Sequence, residues 1–167
     1  MAVDGERDLR EIYAASAGRL VAVVYGLTGD YAEAEDAVHE AFARALVRKG
    51  QLRAVASPEA WLRTVAVNVA RSRFRRRMIL DRLVRTGRLA RAEATVPVSP
   101  DRVAVVEALQ RLPRPVRECL VLHYFADLPV AEVARAQDCT VATVKTRLHR
   151  GRRALAAALG EREDSRA

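Results

Sequence analysis

Apolar residues in the first part of the chain recur at helical spacing. Leu9, Ile12, Tyr13, Leu20, Val23, Val24 and Leu27 follow steps of three, four and seven, the stripe of an amphipathic helix. Gly29 ends that helix, and Asp30 with Glu33 three residues on forms a capping box for the next. The second helix is expected to bury Val38, Ala41, Phe42, Ala45 and Leu46 and to stop near Lys49-Gly50. A short basic loop, Gln51 to Ala56, leads to Ser57-Pro58-Glu59, where an N-cap serine, a first-turn proline and an early acid mark a helix start. The third helix should bury Trp61, Leu62, Val65 and Val69, run on through Arg77, and close a helical domain near Leu80.

Residues 81–100 lose the apolar stripe. Thr86-Gly87 and the run from Thr95 to Pro100 predict a flexible linker, extended at its prolines. Periodicity restarts at Asp101 with Val103, Val106 and Leu109, until Leu112-Pro113. Pro115 opens another helix carrying Cys119, Leu120 and Tyr124, and Leu128-Pro129 breaks the chain before a final pair of helices. No strand-like alternation accompanies these stripes. The fold class expected is all-α: two small helical domains, 1–80 and 101–167, joined by the 81–100 linker.

Composition agrees with helices, since half the residues are hydrophobic and only 5% aromatic, so any core is mostly Ala, Val and Leu. The formal net charge is +8, and its distribution is uneven. Residues 1–47 carry 4 basic and 9 acidic side chains, residues 48–91 carry 13 and 2, and the remainder 12 and 10. A phosphate-rich partner suits the middle segment and a basic protein surface suits the first. Cys119 and Cys139 are too few for a disulfide framework and are expected as small buried hydrophobes. With neither a secretory leader pattern nor an apolar run of membrane-spanning length, a soluble cytoplasmic protein without membrane insertion is expected.

The segment from about Ala131 to Leu155 has the grammar of a helix-turn-helix. Val130, Val133 and Ala134 give the first helix an inward face, Gln137-Asp138-Cys139 makes a three-residue turn, and Thr140 caps the second helix. Glycine is common in such a turn, and Asp138 is a mild substitute because aspartate tolerates the left-handed conformation. At 100° per residue, Val141, Val144, Leu148 and Leu155 share one buried sector. Ala142, Thr143, Thr146, Arg150 and Arg153 lie opposite, with Lys145, Arg147 and His149 on the flanks and no acid between Thr140 and Leu159. A solvated basic face is the plainer alternative, but cap, turn and missing acids together favour a helix that contacts DNA in the major groove.

The third helix offers a second basic surface. Thr64, Asn68, Arg71 and Arg75 form its polar stripe, with Arg63, Val67 and Phe74 beside it and Arg73, Arg76 and Arg77 finishing it. An exposed Phe among arginines suits stacking on unpaired bases while the arginines follow phosphates. Cations favoured by a helix C-terminus are the competing explanation for Arg75 to Arg77. On the acidic second helix, Asp36 and His39 share a face, yet a metal site there lacks its second ligand set. No phosphate loop, nucleophile elbow or catalytic triad pattern occurs, so neither an enzyme nor a metal or cofactor is expected.

Three blocks together resemble the extracytoplasmic-function (ECF) class of bacterial sigma factors: AEDAVHEAFARAL (34–46), SPEAWLRTVAVNVARSRFRRR (57–77) and LPRPVRECLVLHYFADLPVAEVARAQDCTVATVKTRLHRGRRAL (112–155). The resemblance implies an initiation subunit that binds core RNA polymerase, directs it to promoter DNA and assists promoter opening. It implies a region-two domain in which Asp36, His39, Glu40 and Phe42 dock on the polymerase. There, Arg63, Thr64, Asn68, Arg71, Phe74 and Arg75 would hold the minus-ten element. The loop before that helix, about Gly50 to Ser57, would capture a flipped base. The other half would be region four, where Thr143, Lys145, Thr146, Arg147, His149, Arg150 and Arg153 reach the minus-thirty-five element. An anti-sigma factor is a possible further partner. The chain departs from the family pattern at His39 (commonly Gln), Val67 (Arg), Ser72 (Asp) and Ala142 (Gly). A stand-alone, dimeric helix-turn-helix regulator is the alternative, but it needs neither the acidic helix nor the second basic surface.

Overall fold

A computed structural model of the chain describes residues 2–84 and 98–164. Among these residues there are eight helices and no strand: α1 Ala2–Thr28, α2 Tyr31–Val47, α3 Lys49–Ala54, α4 Pro58–Val84, α5 Pro100–Gln110, α6 Arg114–Tyr124, α7 Val130–Ala136 and α8 Val141–Asp164. They form two compact units, one made of Met1–Val24 with Asp30–Thr95, the other of Tyr25–Gly29 with Val96–Ala167. Residues 85–97, most of the expected linker, lie outside the described residues.

Helix starts follow the caps that the sequence supplies. Asp30 accepts from the Glu33 backbone N–H at 3.0 Å, Ser57 Oγ from that of Ala60 at 3.3 Å, and Ser99 Oγ from that of Arg102 at 3.4 Å. Gly29, at φ 70°, takes the left-handed turn that closes α1, and its N–H bonds to Tyr25 O at 2.8 Å. Two boundaries differ from expectation. Gln51 to Ala54, expected as loop, belong with Lys49 and Gly50 to the short helix α3, with Leu52 buried, so Val55 to Ser57 alone connects it to α4. Helix α4 also continues past Leu80 to Val84.

Unit one is built on the pairing of α2 with α4. Ala34, Ala37, Val38, Ala41 and Ala45 of α2 have no exposed surface, and neither do Leu62 and Ala66 of α4, with Ala70 nearly so. Methyl-sized side chains at a crossing let two helix axes approach to about 8 Å, the near end of the usual range. The expected burial needs three corrections. Trp61 and Val65 are only half-buried, while Ala66, Val67 and Ala70 join Leu62 and Val69 in the core. The inward face of α4 is therefore turned by about a quarter turn toward its alanines. Leu46 is 46% exposed, because it lies beyond Phe42 on the side of α2 away from the alanine arc.

An ionic fringe borders this seam. Arg73 donates to Glu40 at 2.8 Å and lies 3.9 Å from Asp36, Arg77 pairs with Glu33, and Arg44 reaches Glu40 from the next turn of α2. Burial pushes the Glu40 carboxyl up, but hydrogen bonds and charge from Arg73 and Arg44 outweigh that and hold it below its ordinary value. Arg19 of α1 bridges to Glu59 of α4 at 2.9 Å on the surface.

Unit two packs α5, α6 and α7 around α8. Val106, Leu109, Cys119, Leu120, Val121, Val133, Val144 and Leu148 are its buried centre. Burying each Val or Leu contributes about 1.5–3 kcal/mol. Val141, expected inside, is 42% exposed, since as the first residue of α8 it has helix on one side only. The crossing of α6 and α8 turns on Gly151. A Cβ there would stand 2.7 Å from Leu120 Cδ1 and 2.9 Å from Val116 Cγ1.

Two measurements test these pairings. Gly151→Ala should lower the urea midpoint of unit two, because overpacking costs about 1–3 kcal/mol and alanine returns only about 1 kcal/mol in helix propensity. Arg73→Ala should cost about 0.5–1 kcal/mol at neutral pH, a small figure because its partners are a third or more exposed. A carboxyl with a depressed folded pKa adds stability above its unfolded value and loses it as pH falls through the folded one. The gap between wild type and Arg73→Ala should therefore close as pH falls below the ordinary Glu40 value of 4.5. A gap independent of pH would remove the carboxylates from the explanation.

Candidate nucleic-acid interface

The turn that presents α8 is a Schellman closure followed by a side-chain cap. Asp138 adopts φ 49°, its N–H bonds to Arg135 O at 3.3 Å, and the Cys139 N–H reaches back to Ala134 O at 3.0 Å. Thr140 Oγ1 then accepts from the Thr143 N–H at 3.1 Å, satisfying one of the orphan donors at the start of α8. The preceding turn is fixed in a similar way: Asp127 takes φ 52° and His123 Nδ1 lies 2.8 Å from Leu128 O.

Of the seven residues expected on the α8 surface, Lys145, Thr146, His149, Arg150 and Arg153 are exposed. Lys145, His149 and Arg150 span less than two turns with no acid among them, a short, wholly basic ridge. Thr146 donates its hydroxyl to Ala142 O at 3.0 Å, which anchors the side chain to its own helix. The other two are held inward. Thr143 Oγ1 lies 2.9 Å from Thr140 Oγ1 within the cap, and Arg147 Nη1 donates to Cys139 Sγ at 3.6 Å beside the turn. Arg147 also reaches Cys119, whose thiol burial pushes up while the guanidinium pulls it back. Both cysteines are free thiols.

On α4, Thr64, Asn68 and Arg75 are exposed, Phe74 is 39% exposed, and Arg63 and Arg71 are half-buried. Thr64 Oγ1 donates to Ala60 O at 2.9 Å. Thr64, Asn68, Arg71 and Arg75 thus follow one another over three turns on the side away from the alanine seam, while Arg63 and Phe74 fall on the flank nearer Val67 and Ala70. Arg73 and Arg77 lie elsewhere, on the edge that faces α2.

The acidic face of α2 is partly occupied from within. Asp36 remains 70% exposed, while Glu40 is shared between Arg73 and Arg44. His39 is exposed and its Nε2 lies 3.0 Å from Tyr13 OH. Phe42, expected on the docking surface, is only 6% exposed and meets Tyr13 edge-on at 4.9 Å. It supports that face from below, and Tyr13, 41% exposed, is the aromatic that reaches the surface. Sequence alone missed this role because Tyr13 falls on the apolar stripe of α1. No helix among the described residues is long and apolar enough to cross a membrane.

Comparison with known proteins agrees with this layout. Residues 12–78 match the family model for Sigma-70 region 2, and residues 102–155 match that for Sigma-70, region 4. The chain is 32% identical over 159 residues to the ECF RNA polymerase sigma factor EcfG of Rhodopseudomonas palustris (strain TIE-1), covering 90% of this chain and 84% of that protein. It is 28% identical over 168 residues to the ECF RNA polymerase sigma factor SigW of Bacillus subtilis (strain 168), covering 91% and 87%. Among solved structures it is similar in fold to the sigma factor RpoE of Bartonella quintana, crystallised with the anti-sigma factor NepR. That match has a TM-score of 0.78 at 24% identity and covers 92% of this chain and 98% of that one. The matches to both regions in this order, together with 32% identity to EcfG over 90% of the chain, place it in the ECF family of RNA polymerase sigma factors.

Proposed function

We propose that the chain divides promoter recognition between its two units. In unit two, Lys145, Thr146, His149, Arg150 and Arg153 contact the minus-thirty-five duplex, with Thr143 and Arg147 fixing the turn behind them. In unit one, Arg63, Thr64, Asn68, Arg71, Phe74 and Arg75 hold the minus-ten element, where an exposed aromatic ring among arginines suits an opened strand. The face bearing Asp36, His39 and Glu40, underlain by Phe42, docks on a basic surface of core polymerase. An anti-sigma partner for this chain is an expectation drawn from the family alone.

The observation that carries this division is the difference between the two basic surfaces. The surface on α8 is an acid-free ridge on a capped recognition helix, the form that enters a major groove. That on α4 combines an aromatic ring with cations, a form suited to unstacked bases. A repressor acting alone needs the first and has no use for the second.

Run-off transcription with core polymerase plus this chain, on templates with randomised promoter regions, tests the proposal, with duplex binding by the chain alone as control. The expected result is promoter-directed synthesis only with polymerase present. Tight specific binding by the chain alone, without synthesis, would identify a self-sufficient regulator instead. On the selected promoter, Arg150→Ala should cost about 1–3 kcal/mol of discrimination at one upstream position if it reads a base. Uniform weakening on every sequence would reassign Arg150 to phosphate. Asp36→Lys should weaken polymerase binding in a competition assay, and unchanged competition would take Asp36 off the docking face.

A further inference from the structure

A helix can read base edges only while it is held at a fixed angle to its own domain. Beyond the packing of α5, α6 and α7 on α8, two specific contacts from α6 bracket its basic ridge. Toward the far end of the basic ridge, Gly151 lies against Val116 and Leu120, so close that a single added methyl would overlap them. At the near end, α6 reaches the turn through Glu118. Its Oε2 accepts from Gln137 Nε2 at 2.6 Å and its Oε1 from Arg114 Nε at 2.8 Å. Gln137 caps α7 and is the first residue of the turn, with left-handed Asp138 next and the α8 cap, Thr140, shortly after.

Glu118 is a charged residue buried within unit two, at 8% exposure. Withdrawing a carboxylate from water costs several kcal/mol unless donors replace the water. A leucine at this position would serve stability better, since its neighbours Cys119 to Leu122 are all core residues. What a leucine could not do is fix the amide of Gln137. A charge-assisted hydrogen bond is short and directional, whereas apolar contact lets a turn slide.

We infer that Glu118 is a positioning residue for promoter reading: acting through Gln137, it sets the near end of α8 while Gly151 sets the far end. The inference rests on the assignment of α8 to the minus-thirty-five duplex. If the turn slipped, α8 would pivot about Gly151. Lys145 lies six residues away, so a tilt of about 10° displaces it by about 1.5 Å. The useful range of a hydrogen bond is only about 0.5 Å wide, so that displacement breaks base contacts without unfolding anything.

The test uses the full chain with core polymerase and the promoter it selects, compared with the same promoter scrambled upstream. Gln137→Glu sets two carboxylates against each other at the turn, and upstream preference should fall about tenfold or more. Synthesis from a template already opened over the minus-ten element should not change, which verifies the fold and polymerase docking. Adding Glu118→Gln to that variant rebuilds the pair in reverse: the new amide donates to the new carboxylate and still accepts from Arg114. Preference should then return to within about threefold of wild type. Gln137→Glu with Glu118→Leu carries the same net charge as the reversed pair but offers no donor, so it should not recover, which separates pairing from repulsion of DNA phosphate. Failure of the reversed pair to recover, or unchanged preference in Gln137→Glu, would overturn the positioning role. If the wild-type chain itself directs no synthesis, the initiation assignment fails first and takes this one with it.

Discussion

Both units depend on very small residues where their helices cross. A chain with 5% aromatic residues has few large side chains to fill the space between helices, so it removes the space instead. In unit one the small residues are the alanines of α2 and α4; in unit two the same part falls to Gly151 between α6 and α8. Close approach has a second effect, because long side chains at the edge of a thin seam can reach across it. The ion pairs of Arg73 and Arg77 with α2 and the grip of Glu118 on Gln137 both exploit that reach.

The same feature explains where sequence patterns succeed and where they mislead. Caps were legible because each is a local event: Asp30, Ser57 and Thr140 need only the next three residues to declare themselves, whereas the cap at Ser99 was hidden in a stretch that reads as linker. The left-handed turn at Asp138 was legible for the same reason. The inward face of α4 was not, because Trp61 and Val65 dominate any tally by hydrophobicity, while Ala66 and Ala70 make the contact. Alanine is small enough to suit a surface or a core, and only the partner helix decides which. Helix α3 escaped notice because six residues make less than two turns, too few to establish a period.

Charge was legible in amount and misleading in destination. An acidic first segment and a basic middle one suggest two external partners, and Asp36 and Arg75 do lie exposed. Once α2 and α4 lie side by side, however, some of the opposite charges meet each other. The division of α8 was clearer, since its outer and inner sectors differ so strongly in composition. Even there, Arg147 turns to Cys139, and no periodicity could foresee a guanidinium choosing a sulfur over solvent. Glu118 did carry a signal: with Arg117 it stands directly before the apolar run Cys119 to Leu122.

The ionic fringe has a bearing on how this chain responds to electrolyte. Each free guanidinium that reaches a phosphate displaces one condensed cation from the nucleic acid, and the salt dependence of binding counts those displacements. Arg73 and Arg77 have their charge already balanced by Glu40, Asp36 and Glu33. They contribute nothing to that count unless the carboxylates let go. Under the proposed minus-ten contact, the basic helix would therefore act as a smaller polycation than its arginine content suggests, the difference being held inside the protein as a reserve of charge.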